Sequence, residues 1–300
     1  MSANRHGTVV GPPMVVGTDV GATWIRVVAL RGDRPVLRLA ASASAVREVG
    51  KFLLTVWKRR RWTRSDVAAL AVATRGIWTG RECRAQERRL RRLALRVIVL
   101  SDAQAAFLGA LGFRPGVLIL AGTGSIVLGR SGRGRWARAG GLGPLLGDEG
   151  SAFWVAREWL RTTTRGEDFA PVRRLVTSAD AVASIARRAP AVVRRARRGD
   201  RRARAILHAA QAHLAAQALD VTRRLRLPAP VALSWAGSVV ADEWFRAGLR
   251  RAVARAGLRA RWVAPEAEAV MAAVRLAARL AASTRGRQKA PGRVPLRRRS

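Results

Sequence analysis

Residues Val117 to Arg157 read VLILAGTGSIVLGRSGRGRWARAGGLGPLLGDEGSAFWVAR, and they hold the densest set of chemically informative residues in the chain. The apolar run 117–120 predicts a buried strand, a glycine turn follows at 122–125, and a second strand is predicted at 126–129. Glycines in such a turn let a ligand approach the backbone closely, because no Cβ intervenes. The backbone N–H groups of Gly122, Thr123, Gly124 and Ser125, with two hydroxyls, can hold a phosphate. The alternative is a plain hairpin turn.

The second half of the stretch is a glycine-rich segment that leads into a helix. Gly141, Leu142 and Gly143 are followed by Asp148 and Glu149, which lie between glycines. Two carboxylates beside glycines at the start of a helix suit binding of hydroxyls or of metal-bound water. The alternative for Asp148 is a helix N-cap.

Composition narrows the class of protein. The chain has 300 residues, 49% of them hydrophobic, which is enough for one large domain or two ordinary ones. Cys83 is the only cysteine, which excludes an internal disulfide and a cysteine metal site within one chain. No apolar run reaches the ~18 residues of a membrane span, and no signal peptide is recognisable. We therefore expect a cytoplasmic protein that does not bind a membrane.

The net charge of +38 has two explanations. Binding of nucleic acid or another polyanion is the functional one. The other is accumulation of arginine and alanine codons in a GC-rich genome. The arginines are spread along the predicted helices with few aromatic residues among them, which favours the second explanation, so we do not expect nucleic acid as a partner.

The chain before and after this stretch alternates short apolar runs with amphipathic ones. A first strand, 14–21, ends in Asp19, Gly21 and, just beyond, Thr23. Further strands are predicted at 24–30, 36–40, 67–73 and 97–100, and helices at 46–58, at 81–95 and from Asp102 onward.

An internal repeat organises these elements. The strand, glycine turn and strands of 14–40 recur at 116–139. The strand 67–73 is matched by 231–235, which precedes Gly237 and Ser238, and the strand 97–100 with its helix is matched by 261–264 and the helix after it. The pattern predicts two copies of one β-β-β-α-β-α-β-α unit, with a helical insertion at 151–228 in the second copy.

Two such copies predict two α/β lobes with a cleft between them, where a nucleotide would meet a glycine turn from each lobe. We expect the first lobe at 14–115 together with the last helix, 266–283. The second lobe is expected at 116–265. Residues 1–13 are interpreted as a disordered extension, with Met14 as a candidate start, and 284–300 as a disordered basic tail.

These motifs resemble the N-acetylglucosamine kinase and BadF-type ATPase family, within the actin-like ATPase and sugar-kinase superfamily. The resemblance covers about Met14 to Leu280, and its most specific part is the segment 140–151 with Phe153 and Trp154. It implies two ribonuclease-H-like lobes, ATP and Mg²⁺ as cofactors, a sugar substrate and a homodimer.

The resemblance also implies a role for each matching residue. Asp19 would hold Mg²⁺ through water, and Asp102 would be the general base. The ATP-binding residues would be Asp19, Gly21, Thr23, Gly122, Thr123, Gly124, Ser125, Gly237 and Ser238, the last two at the adenosine. The sugar would contact Gly141, Leu142, Gly143, Asp148 and Glu149.

The expected reaction is transfer of the ATP γ-phosphoryl to a hydroxyl of N-acetylglucosamine or a related amino sugar. The sequence departs from the family around the sugar: 41–46 lacks an asparagine, and Leu142 replaces a common tryptophan. Three alternatives stay open. Asp102 could be only a helix cap. The chain could be an ATPase activator of a reductase or dehydratase, which the single cysteine disfavours, or a non-enzymatic polyanion-binding protein.

Overall fold

A computed structural model describes residues 12–21, 24–43, 46, 48–77, 79–166 and 169–283. It confirms the predicted α/β class, with two five-stranded mixed sheets among these residues. Two compact units contain one sheet each: the first runs to Ala105 and resumes at Ala267, and the second covers Ala106 to Glu266.

The sheet of the first unit has the strand order β3-β2-β1-β4-β5. Its strands are β1 (Met14–Val20), β2 (Trp24–Arg31), β3 (Arg34–Ser42), β4 (Val67–Thr74) and β5 (Arg96–Ser101). The first three strands form an antiparallel meander, and β1, β4 and β5 run parallel to one another. The helices are α1 (Val49–Arg60), α2 (Gly80–Leu90), α3 (Asp102–Leu111), which crosses into the second unit, and α12 (Ala269–Ala282).

Close packing of α12 on β1 fixes the centre of the first unit. Apolar residues of β1 are buried on both faces, as expected for a central strand. A Cβ at Gly17 would lie 2.4 Å from the backbone nitrogen of Val274, so this position admits only glycine without a shift of the helix. Small buried residues on α12, Ala273 and Ala277, allow the same approach along the helix.

The sheet of the second unit has the order β10-β9-β6-β7-β8. Its strands are β6 (Gly116–Ala121), β7 (Ser125–Arg130), β8 (Trp136–Gly140), β9 (Val231–Ala236) and β10 (Ala260–Trp262). Listed from the other edge, this is the strand order of the first sheet, with the same parallel and antiparallel pairings. The predicted repeat is therefore confirmed at the level of sheet topology.

Helices fill the chain between β8 and β9. They are α4 (Gly143–Leu146), α5 (Ala152–Thr163), α6 (Phe169–Val176), α7 (Ala181–Ala186), α8 (Ala189–Arg197) and α9 (Arg201–Leu225), and α10 (Ser238–Ala241) and α11 (Glu243–Arg255) follow β9. A stripe along α9 that includes Leu207, Leu214 and Val221 is buried against the sheet and the neighbouring helices. Among the described residues, no helix is both long enough and apolar enough to span a bilayer.

One predicted helix differs from the structure. The helix predicted at 81–95 ends at Leu90, because Leu93 and Ala94 leave the helix and enter the core. The Trp57 indole N–H donates to the carbonyl of Leu93 at 2.9 Å and holds this turn. The predictions for residues 1–11 and for the tail 284–300 lie outside the described residues.

Candidate active site

In the first unit, the carboxyl ends of parallel strands carry the candidate catalytic groups. Register pairs Asp19 of β1 with Ala73 of β4, and Thr74 at the end of β4 with Ser101 at the end of β5. Asp102 follows directly, so Asp19 and Asp102 lie at the same edge of one sheet. Ligands of open α/β sheets commonly bind at this edge.

Asp102 is not the cap of its helix, because its neighbours cap α3. The Ser101 hydroxyl accepts a hydrogen bond from the Gln104 backbone N–H at 3.1 Å. In return, the Gln104 side-chain oxygen accepts from the Ser101 N–H at 3.1 Å. This reciprocal pair is a capping box. The interpretation of Asp102 as a plain N-cap is therefore wrong.

The Asp102 carboxylate is half-buried, and Oδ1 accepts from the Ala103 N–H at 2.8 Å. Burial raises the pKa of Asp102, and the Ala103 hydrogen bond and the charge of Arg75 oppose this rise. A carboxylate that is partly desolvated but still reachable is a stronger proton acceptor than one in water.

Asp19 is a buried carboxylate in a strongly charged setting. Burial raises its pKa, the nearby carboxylates of Asp102 and Glu268 raise it further, and Arg26 lowers it. The Arg26 guanidinium, from the antiparallel neighbour β2, lies 3.6 Å from Asp19 Oδ2. The first turn continues through Gly21, whose N–H donates to the Trp24 carbonyl. Thr23 lies outside the described residues.

The oxygen donors at this edge suit Mg²⁺ held through water. The carboxylates of Asp102 and Glu268 are close enough to Asp19 to raise its pKa. Among the described residues, however, no three acidic, histidine or cysteine side chains are grouped closely enough to hold a metal ion. Mg²⁺ typically keeps several waters and takes one or two carboxylates. The residues present therefore fit a water-mediated ion better than a fully protein-ligated one.

In the second unit, the glycine turn joins β6 to β7 as a tight hairpin. Ala121 pairs with Ser125, and the Gly122 N–H donates to the Gly124 carbonyl at 2.9 Å. The backbone of the turn is therefore that of a hairpin, as the alternative interpretation predicted. Thr123 is exposed at the tip, and the backbone N–H groups of Thr123 and Gly124 have no partner in the described part of the chain. Two neighbouring free N–H groups can bind a phosphate oxygen.

The N-terminus of α5 holds the turn from behind. The N–H groups of Ala152 and Phe153 donate to the carbonyls of Gly122 and Thr123, at 2.8 and 3.2 Å. These bonds occupy the turn's carbonyls and leave its N–H groups free. Ser151 is the N-cap of α5, and its hydroxyl accepts from the Trp154 N–H at 3.1 Å.

Asp148 supports the turn from the glycine-rich segment and does not take the alternative role of a helix N-cap, which belongs to Ser151. Its backbone is left-handed (φ 61°), and its carboxylate is buried against the turn. Oδ1 accepts from the Ser125 N–H at 3.3 Å, and a Cβ at Gly124 would lie 2.8 Å from Oδ2. Gly124 is thus required by a protein contact. Burial raises the pKa of Asp148, and the Ser125 hydrogen bond opposes it.

The predicted adenosine motif lies beside the turn, at the end of the neighbouring parallel strand. Gly237 follows β9 with a positive φ of 96°, and a Cβ there would lie 2.4 Å from the Ala121 carbonyl oxygen. Gly237 and Ser238 are both exposed. The structure therefore brings together Gly122 to Ser125, Asp148, Gly237 and Ser238 within one unit.

The rest of the predicted sugar segment is more open. Leu142, Leu145 and Leu146 are 63%, 92% and 78% exposed. Gly141 and Gly143 have positive φ, and nothing lies within 4 Å of a Cβ built at Gly143. Glu149 is half-buried and accepts from the Gln217 side-chain amide of α9 at 3.3 Å.

Four residues at these sites were not predicted from the sequence: Arg26, Arg75, Gln217 and Glu268. Arg26 was detectable in principle, because the pairing of β1 with β2 places it opposite Asp19. Gln217 lies on α9 and Glu268 directly before α12, both distant in sequence from the residues they approach, so no local pattern indicates them.

Solved structures share the whole fold. A candidate N-acetylglucosamine kinase from Porphyromonas gingivalis aligns with a TM-score of 0.66 and 18% identity, over 87% of this chain and 96% of that one. Another candidate N-acetylglucosamine kinase, from Chromobacterium violaceum, aligns at 0.61 and 22%, over 88% and 98%. A ROK family glucokinase from Streptomyces griseus, solved with glucose and AMPPNP, aligns at 0.58 and 17%, over 89% and 99%. At these identities the likeness shows the fold.

Sequence matches to individual proteins are shorter. The N-acetylmuramic acid/N-acetylglucosamine kinase of Clostridium acetobutylicum is 38% identical over 73 residues, and the N-acetyl-D-glucosamine kinase of Dictyostelium discoideum is 45% identical over 53. These matches span only 24% and 17% of the two relatives' lengths. The family model is far more extensive, since it matches residues 16–277. The chain belongs to the BadF/BadG/BcrA/BcrD ATPase family.

Proposed function

We propose that this chain is an ATP-dependent kinase that phosphorylates a hydroxyl of N-acetylglucosamine or a related amino sugar. The observation that carries the proposal is Asp102: a half-buried carboxylate at a sheet edge, with a raised pKa, which its helix does not use as a cap. The names of the two sequence relatives support an amino sugar as acceptor.

In the proposed reaction, Asp102 accepts the proton of the sugar hydroxyl as its oxygen attacks the γ-phosphorus. A bond forms between the sugar oxygen and that phosphorus, the bond from the γ-phosphorus to the bridging oxygen breaks, and ADP leaves with the bonding electrons. Most of the rate enhancement in such transfers comes from positioning and from neutralising charge.

The nucleotide is assigned to the second unit's turn. The free N–H groups of Thr123 and Gly124 and the Thr123 hydroxyl would bind phosphate oxygens, and Gly237 and Ser238 would contact the adenosine. Asp148 and the N-terminus of α5 would keep the turn in shape. Mg²⁺, when bound, would neutralise phosphate charge, and Asp19 would hold it through water. Glu149 and the segment 141–143 would contact the sugar.

The direct test measures ADP release by the wild-type chain against a panel of amino sugars and hexoses. Stimulation by an amino sugar, with a phosphorylated sugar as product, is the expected result. ATP hydrolysis that no sugar stimulates would leave family membership intact and refute the kinase activity.

A further inference from the structure

Arg75 is the residue next to Asp102 for which the proposed mechanism has no use. It is the first residue beyond β4, and Asp102 is the first residue beyond β5. The last residues of these parallel strands, Thr74 and Ser101, are paired in register. Adjacent strands are about 4.8 Å apart. The backbone of Arg75 therefore begins about one strand spacing from that of Asp102.

The charge of Arg75 reaches the Asp102 carboxylate, because it lowers the pKa of that group against the effect of burial. Arg75 is nevertheless exposed, and its guanidinium makes no ion pair or hydrogen bond in the described part of the chain. Arg26 at the same sheet edge is different, since it lies 3.6 Å from Asp19. Arg75 thus combines proximity to the candidate base with a solvent-facing fork of five N–H donors.

We propose that Arg75 is a specificity-determining residue that binds a carboxylate carried by the acceptor, so that the preferred acceptor is an acidic amino sugar. The inference rests on the proposed function, because Asp102 places the acceptor here. A planar guanidinium matches a carboxylate through two parallel hydrogen bonds. A neutral sugar would leave this charge without a partner.

Two other roles for an arginine at this position make different predictions. If Arg75 neutralised the transferring phosphoryl group, its loss would lower kcat for every acceptor. If Arg75 only kept Asp102 ionised, its loss would move the acid limb of the pH profile equally for every acceptor. Asp19, Arg26 and Glu268, the other charged groups named near this edge, stay in place in both cases. Only recognition of the acceptor changes the preference between acidic and neutral sugars.

The experiment compares N-acetylmuramic acid with N-acetylglucosamine, which lacks the carboxylate-bearing group. Turnover and thermal shift are measured with both sugars for the wild type, Arg75→Gln, Arg75→Lys and the control Arg92→Gln. Arg92 is exposed in the same unit, just after α2, so its replacement removes the same charge from another place.

We expect the ratio of kcat/KM for the acidic sugar to that for the neutral sugar to fall about 10- to 100-fold in Arg75→Gln, through KM. Arg75→Lys should fall less, and Arg92→Gln should keep the wild-type ratio. An unchanged ratio in Arg75→Gln, or a wild type that phosphorylates only the neutral sugar, refutes the acidic-acceptor proposal and leaves the kinase standing. If no sugar is phosphorylated or shifts the melting temperature, both proposals are wrong.

Discussion

The ends of β1 and β6 occupy the same place in the two sheets, yet they carry different chemistry. In the first unit, β1 ends in a buried carboxylate, Asp19, which lies near Asp102 and Glu268. In the second unit, β6 ends in a glycine turn with free N–H groups, held by Asp148 and by α5. The two copies of the repeat therefore share a backbone arrangement but differ in their side chains. The end of β1 suits cations and protons, and the end of β6 suits phosphate.

Removal of the proton acceptor should give the largest effect. Asp102→Asn should reduce phosphoryl transfer by ~10²–10⁴-fold, because an amide cannot take the hydroxyl proton. The fold should persist, since Ser101 and Gln104 cap the helix. The rise in melting temperature with Mg-ATP should persist too, because the residues assigned to the nucleotide and to Mg²⁺ are unchanged. Turnover equal to wild type would remove Asp102 from the mechanism.

Each sheet has a strand glycine packed against a helix, and adding a methyl group at the two positions should differ in its cost in stability. Gly17→Ala forces a Cβ against the backbone of α12, and Gly129→Ala forces one against the Val221 and Leu225 side chains. Side chains can move more easily than a helix backbone. We expect overpacking costs of ~1–3 kcal/mol in the free energy of unfolding, with Gly17→Ala at the upper end. Urea denaturation of both variants measures this, and a larger loss in Gly129→Ala would contradict the rigidity assigned to α12.

Substitutions at two glycines of the same turn should affect nucleotide binding and stability differently. A Cβ at Gly122 has no protein atom closer than 3.9 Å, whereas one at Gly124 meets the Asp148 carboxylate. Gly122→Ala should therefore melt like wild type and lose most of the Mg-ATP thermal shift. Gly124→Ala should itself be less stable.

The contact between Gly124 and Asp148 can be isolated by a double-mutant cycle. Combining Gly124→Ala with Asp148→Gly should recover part of the lost stability, with a coupling energy of about 0.5–3 kcal/mol. Additive losses would mean that Asp148 does not set the space at the turn. A full Mg-ATP shift in Gly122→Ala would remove the turn from the nucleotide site.

The buried carboxylates predict a smaller, pH-dependent effect. Burial raises the pKa of Asp19, Asp102 and Asp148 above the ordinary value of 3.8. Each group then keeps its proton in the folded chain at pH values where the unfolded chain has lost it. Stability therefore falls as the pH rises from 3.8 through the folded-state pKa.

Asp102→Asn removes one of these terms. Its stability relative to wild type should improve as the pH rises above 3.8, measured by chemical denaturation at a series of pH values. A relative stability that worsens with rising pH would mean that Asp102 is better stabilised as a charge in the folded chain than in water.

The smallest effect is expected from removing the C-terminal segment, which lies outside both copies of the repeat. Truncation after Ser283 removes the basic segment 284–300 and keeps the hydrogen bonds of Arg96 to Leu280 and Ser283. Turnover and melting temperature should match the wild type, since the elements of the first unit end with α12. A large fall in turnover would mean that this segment contributes to the site.

Local pattern was enough for most of the strands and for the repeat. Apolar runs of four to eight residues bounded by glycine or polar residues predicted β1, β4, β6 and β9, because a buried strand consists of consecutive apolar residues. The same reasoning placed Asp19, Asp102 and the turn 122–125 at strand ends. It overextended α2, because periodicity does not show where Leu93 leaves the helix for the core.

The sequence by itself determined the α/β class, the strand-end positions of the candidate residues and their chemical types. Only the tertiary structure decided how those residues are used: that Ser101 and Gln104 free Asp102 from capping, that Asp148 supports the turn at Gly124, and that Arg75 stands beside Asp102. These arrangements depend on sheet register and on helix packing, which local sequence patterns do not show. A carboxylate that caps a helix is less available to accept a proton from a substrate. Which residue is the cap depends on hydrogen bonds that only the tertiary structure shows.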